Sequence, residues 1–230
     1  MINNYNDFIS ALRKAGFSGA IGGRDDGVFG LFRYGWGAEK ETGIHWHTGD
    51  PDTDPWEWRI RVLTEQNDIA YSKVFFRKAG YITKEWYPYF YAARRGDKTL
   101  EDEYYDGLIS NLAKRIYDTV LENDRLPVHR IKQIAGISRD EKSKFDSALT
   151  ELQMKMYLTI CDIYYNISQK GEQYGFSSTV FCTPELFWGK DIIIEAECID
   201  EDEAIEVIKN QLLYLNPNTS KTKILTFITG

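Results

Sequence analysis

No apolar run in this 230-residue chain approaches the roughly 20 residues that a membrane helix needs. The segment Met1 to Ser10 lacks the basic and apolar stretches of a signal peptide, so the sequence reads as cytoplasmic. Cysteine is scarce. Cys161, Cys182 and Cys198 are odd in number and form no CxxC pair, which fits a reducing compartment and argues against a disulfide framework. No GxxxxGK[ST] or GxGxxG joins a strand to a helix, so a P-loop or dinucleotide fold has very little support, and no GxSxG elbow supports a nucleophilic triad. A net charge of −7, from 28 cations against 35 anions, argues against strong, non-specific nucleic-acid binding. Carboxylate pairs could be drawn anywhere among so many acids, so they identify no acid–base centre, and nothing in the sequence calls for a cofactor.

The charge present is unevenly placed. Trp56 to Lys98 holds nine cations and five anions, whereas Glu185 to Glu206 holds nine anions and Lys190 alone. Such polarity describes either two solvated faces or one anion-attracting surface and one that repels anions.

Local patterns predict the elements. Asn4 to Ala15 reads as a helix capped by Asn3 or Asn4, with Phe8, Leu12 and Ala15 on one side. Gly19, Gly22, Gly23, Gly27, Gly30, Gly35 and Gly37 then leave room only for a short strand around Val28 to Phe32. Trp56 to Leu63 and Ile69 to Lys78 both alternate with period two. Pairing Leu63 with Ile69 gives an antiparallel hairpin with Arg59 beside Lys73 and Arg61 beside Tyr71 on its outer face. Asp54-Pro55-Trp56-Glu57 is also a good helix start, but a helix would set Arg59 on its apolar stripe, so the hairpin is preferred. Thr83 to Ala93 reads as a short aromatic helix or turn around Pro88.

From Leu100 the pattern is helical. Glu101 to Asn123 is expected as one long helix and Val128 to Ala135 as a shorter one stopped by Gly136. Ser138 and Glu141 form a capping box ahead of a third helix that buries Phe145, Leu149, Leu152 and Met156 and turns Ser143, Ser147, Thr150 and Met154 outward. Strands at Tyr157 to Ile167 and Phe176 to Phe181 complete the order of a winged helix. The outward face carries no bidentate base reader, so a sequence-specific repressor is not expected. Asp191 to Ile199, Asp202 to Leu215 and Lys223 to Ile228 read as strand, helix and strand. The fold class expected is therefore α+β: an N-terminal region over 1–99 with an aromatic, basic hairpin, a winged-helix core over 100–189, and an acidic strand-helix-strand cap over 190–230.

The residues Asp54-Pro55-Trp56-Glu57-Trp58-Arg59, Ala79 to Trp86, Ala148 to Gln153 and Gly171 to Gly175 together resemble a group of bacterial proteins labelled AlkZ-related, after a winged-helix family of DNA glycosylases that excise alkylated or crosslinked bases. The resemblance spans roughly residues 45 to 190 and implies a winged helix and a link to nucleic acid. The active glycosylases carry a Gln-x-Gln or Gln-x-Asp motif near the N-terminus. Here the first glutamine is Gln66, and Gln66-Asn67-Asp68 matches only in letters, so no catalytic residue is carried over.

The surface singled out for nucleic acid or a nucleotide is Arg59, Arg61, Tyr71, Lys73, Phe75 and Arg77, with Lys78, Trp86 and Arg94, because cations interleaved with aromatics suit phosphates and stacked bases. The opposing reading is that these cations bond to the chain's own acidic C-terminal segment. His45, His47 and Asp50 are the one set of metal-ligand types: on a strand, alternate imidazoles would face one ion, although an Asp-Pro turn explains the carboxylates equally well. His129 reads as a surface or capping residue, and the three cysteines as inert core. Two other functions stay open: an interaction scaffold or homodimer, for which an outward Met154 would be suited, and a binder of a small anionic metabolite in an aromatic pocket.

Overall fold

The computed structural model describes residues 2–19, 28–31, 43–168 and 170–230. Most of the glycine-rich run lies outside them; its described part, 28–31, is irregular rather than a strand and is tied back by the Gly19 amide bonding to the Phe29 carbonyl at 3.0 Å. Among the described residues, eleven α-helices surround one antiparallel sheet of six strands.

Helix α1 (Tyr5–Ala15) starts where Asn4 Oδ1 accepts from the Asp7 amide, and it buries Phe8, Leu12 and Ala15 as its spacing predicts. Strand β1 (Phe17–Ser18) follows. Residues 56–63 are not a strand: helix α2 spans Pro55–Glu65. The buried Asp54 carboxylate accepts from the amides of Trp56 and Gly49, Pro55 takes the first helical position, and Trp58 and Val62, four apart, fill the core. The objection that a helix strands Arg59 on an apolar stripe is met by the side chain itself. Its guanidinium lies 3.5 Å from the Trp56 ring centre and its Nε donates to the Trp56 carbonyl.

The hairpin forms one segment later, from β2 (Ile69–Phe75) and β3 (Lys78–Thr83), with Tyr71 opposite Tyr81 and Ser72 opposite Gly80. Phe76 and Arg77 make its turn, both at positive φ (50° and 60°). Two bulky residues in the left-handed region cost energy that contacts elsewhere must offset. Helix α3 (Tyr87–Arg94) matches the expected aromatic helix and packs inward.

The predicted long helix is broken. Gly107 adopts φ 74° and Ser110 caps a new start, giving α4 (Leu100–Tyr105) and α5 (Asn111–Asn123). Strand β4 (Leu126–Pro127), helix α6 (Val128–Ile134), a 3₁₀ turn over Arg139–Glu141 with the Ser138–Glu141 capping box, and α7 (Lys142–Met154) come next. Then come β5 (Thr159–Ile167) and β6 (Gln173–Cys182). The sheet order is β1-β3-β2-β5-β6-β4. Ser72 joins its halves: its Oγ accepts from the Ile160 amide at 2.8 Å and shares a hydrogen bond with Thr159.

The C-terminal segment departs furthest from expectation. It is helical throughout, as α8 (Pro184–Trp188), α9 (Lys190–Glu197), α10 (Glu201–Leu215) and α11 (Lys221–Thr229). The Ile192-Ile193-Ile194 run suggests a strand by propensity, but packing decides. Ile193 and Ala196 of α9, and Ile224, Phe227 and Ile228 of α11, fall on buried faces spaced three and four apart. These helices share a core with β2 and α3, in which the Phe227 ring stacks on Phe75 at 3.9 Å and 7°. A second core lies among α5, α6, α7, β5 and β6, and a third under α1 and α2 around Trp58. Cys161 and Cys182 are buried, whereas Cys198, at the C-cap of α9, is exposed, contrary to its reading as core. No helix among the described residues is long and apolar enough to cross a membrane.

Candidate nucleic-acid interface

The helix at 55–65 dissolves the single basic face expected from the sequence, because Arg59 and Arg61 no longer sit across from Lys73 and Tyr71 on one ribbon. Arg61 is held within the protein: it bonds to Glu65 through Nε and Nη2, to Asp52 and to the Pro51 carbonyl, and it lies over the Tyr5 ring. Hydrogen bonds to Glu65 hold its pKa up. Arg59 stays near Tyr71, but desolvation by burial outweighs the nearby cation and raises the Tyr71 phenol pKa. Phe75 is core at 1% exposure. Trp86 is half-buried on another side, edge-on to Phe17 at 5.3 Å.

Arg94 is a structural residue. Its nitrogens end on carbonyls of Ile228, Val74, Met154 and Phe227 at 2.7 to 3.0 Å. Burial pulls its pKa down to about 9, which leaves it charged at neutral pH.

Lys73 and Arg77 remain, and they meet α7 rather than the acidic segment. The Lys73 amide donates to Gln153 Oε1 at 3.0 Å and its Nζ to Thr150 Oγ1 at 3.4 Å, while Arg77 Nη2 donates to Ser147 Oγ at 2.9 Å. Lys78 is half-buried at the start of β3, next to the turn. The β2–β3 hairpin therefore covers the C-terminal half of α7. Thr150, Gln153 and Met154 are buried at 5%, 2% and 8% exposure, which corrects the expectation that Thr150 and Met154 face solvent and withdraws Met154 as a dimer contact.

The first turns of α7 stay open. Lys142, Ser143, Lys144, Asp146 and Ser147 are exposed, as are Arg139 before them and Arg77 beside them. Among the described residues, Lys73, Arg77, Arg139, Lys142 and Lys144 have no carboxylate partner, whereas Asp146 is paired with Lys132 at 3.5 Å. Lys142 and Lys144 are not among the residues expected from the sequence, although they stand directly after the capping box, where a helix start exposes its side chains.

The weak metal set is not on a strand. His47 sits in a turn, at φ 60° and 5.3 Å from the Trp56 ring, and His45 lies in irregular chain just before it. The Asp50 carboxylate accepts from the Asp52 amide and Thr53 Oγ1, bonds that lower its pKa. Among the described residues no three His, Cys, Asp or Glu side chains are grouped to hold a metal ion.

Gln66 and Asp68 follow the end of α2 and are bound to α1. Arg13 donates to both Asp68 oxygens at 2.7 and 3.0 Å and to Gln66 Oε1 at 2.9 Å. The Arg13 hydrogen bond holds the Asp68 pKa below its ordinary 3.8. A carboxylate whose pKa is depressed on folding stabilises the fold above its unfolded value and loses that contribution as pH falls through its folded value. Asp68→Asn is therefore expected to cost about 0.5–1 kcal/mol at pH 7, a figure kept small by solvent screening. The gap to the parent should narrow below about pH 4 in urea melts. A gap that stays constant or widens on acidification would contradict this account.

Among curated proteins and among solved structures, nothing matches the chain. The family described as AlkZ related matches residues 2–229, nearly the whole length, and the chain belongs to that family.

Proposed function

We propose that this protein is a winged-helix relative of DNA-repair proteins that engages nucleic acid weakly, through phosphates, and without reading sequence. The order α5, β4, α6, α7, β5, β6, with β4 pairing on β6, supports the winged-helix reading. Family membership supports the link to DNA repair. The observation that carries the binding mode is the hairpin seated on α7. With Thr150, Gln153 and Met154 covered, α7 is unable to lie along a major groove and offers only its first turns, flanked by Lys73 and Arg77. Uncompensated lysines and arginines around serines suit phosphate oxygens, which fix position and carry no sequence information. No catalytic group is assigned, since Gln66 and Asp68 are engaged with Arg13.

The test is a titration against single-stranded, duplex and abasic-site DNA at 50 and 200 mM salt, run beside a base-excision assay. With about four phosphate contacts, affinity should fall about 100-fold over that salt range. Lys73→Glu with Arg77→Glu should weaken binding to every sequence alike and reduce the salt slope by about two. Binding that ignores both salt and the double substitution would refute the proposal.

A further inference from the structure

A groove of about 620 Å³ opens between the β3–α3 connection and helices α9 and α10, within the size range of small-molecule sites. One wall is aromatic, formed by Trp86 and Tyr89 at 5.8 Å. Trp86 is fixed in place: a Cβ on Gly16 would fall 2.3 Å from its indole, and Phe17 meets its ring edge-on.

The charged lining is Arg13 and Lys84 against Asp68, Glu85 and Glu195. Arg13 and Asp68 satisfy one another, so the balance falls to Lys84 against Glu85 and Glu195, all exposed and without an ion pair among the described residues. Thr83 lines the same groove. It is 5% exposed, and its Oγ1 is buried without a hydrogen-bond partner. Buried hydroxyls are nearly always bonded, so an unpartnered one on a cavity wall marks a place for a ligand's polar atom.

We propose that this groove binds a small planar organic cation that bears an N–H group. Its ring lies on Trp86, its charge faces Glu85 and Glu195, and its N–H donates to Thr83 Oγ1. The negative face of the indole attracts a cation, and the two carboxylates add to that attraction. The same charges turn away the small anionic metabolite that the aromatic sequence alone suggested.

The experiment is a titration of the full chain with benzamidine at fixed ionic strength, beside its neutral and anionic shape analogues benzamide and benzoate. Benzamidine should saturate the site. Benzamide should bind at least about tenfold more weakly, and benzoate not at all. Glu85→Gln with Glu195→Gln, both on exposed positions, should weaken benzamidine about fivefold or more. Thr83→Val should weaken it similarly while leaving the melting temperature of the free protein level or higher, because the free hydroxyl has no bond to lose. Absence of benzamidine binding, equal binding of benzamide or benzoate, or unchanged affinity in the Gln pair or in Thr83→Val would each overturn the proposal.

Discussion

Replacing Arg94 by alanine is expected to destabilise the protein by about 4 kcal/mol, a fall in melting temperature of roughly 8–16 °C for a chain of this size. The reason is the way three segments converge on one side chain. Nε donates to Ile228 O at 2.7 Å, Nη2 to Phe227 O at 2.8 Å, and Nη1 to Val74 O at 2.7 Å and Met154 O at 3.0 Å. Phe227 and Ile228 lie in the last turn of α11 and Met154 ends α7, so the cation sits against the negative ends of two helix dipoles. Val74 lies where β2 is irregular, between Lys73 and Phe75, and its carbonyl is turned to the guanidinium. A half-buried charge without a carboxylate is tolerated here because four carbonyls replace water around it. Alanine would leave those carbonyls unpaired and remove the guanidinium that lies 5.5 and 5.4 Å from the Phe75 and Phe90 ring centres. Arg94→Lys should recover little, since a single ammonium cannot span groups that a planar fork reaches in three directions. Thermal melts of both variants decide the matter: a loss under about 1 kcal/mol for alanine, or full rescue by lysine, would show that the carbonyls are satisfied some other way.

Arg94 also illustrates what the sequence could and could not disclose. Its charge marked it as a candidate for phosphate, and nothing local revealed that its partners lie 20, 60 and more than 130 residues away. The helices with end signals were legible: Asn4 ahead of α1, and the Ser138–Glu141 box ahead of α7, sit where their chemistry requires. At 55–65 two signals competed. The N-cap and proline at Asp54-Pro55 are backbone chemistry tied to one position, whereas alternation over eight residues arises easily in a helix that places Trp58 inside and Trp56, 44% exposed, outside. At α9 and α11, β-branched composition suggests strands, although Ile224, Phe227 and Ile228 carry a helical interval. The candidate interface was half legible. Alternation picks out Lys73 and Arg77, but their contact with α7 is a tertiary fact that reverses part of its meaning, since two of the four α7 residues expected to face outward, Thr150 and Met154, are buried, while Ser143 and Ser147 stay exposed.

The second large effect concerns Gly80, where adding one methyl group is expected to cost about 3 kcal/mol. Gly80 lies in β3 with ordinary extended backbone, so conformational freedom is not at issue; space is. A Cβ built there falls 2.4 Å from Phe75 Cδ2 and 2.8 Å from the Ser18 carbonyl oxygen. Neither neighbour can yield cheaply. Ser18 O belongs to the backbone of β1, which is paired with β3 through Ser18 and Tyr81. Phe75 is stacked on Phe227 at 3.9 Å and edge-on to Phe90 at 5.4 Å, so a displaced ring would push against α3 and α11 together. Gly80→Ala should therefore loosen both the sheet edge and the aromatic core. Combining it with Phe75→Leu separates the two terms. Leucine removes one clash and leaves the other, so the double variant should be less destabilised than the sum of the singles by about 1 kcal/mol. Strict additivity in denaturant melts would place the whole cost at β1, and a near-neutral Gly80→Ala would mean that β1 gives way freely.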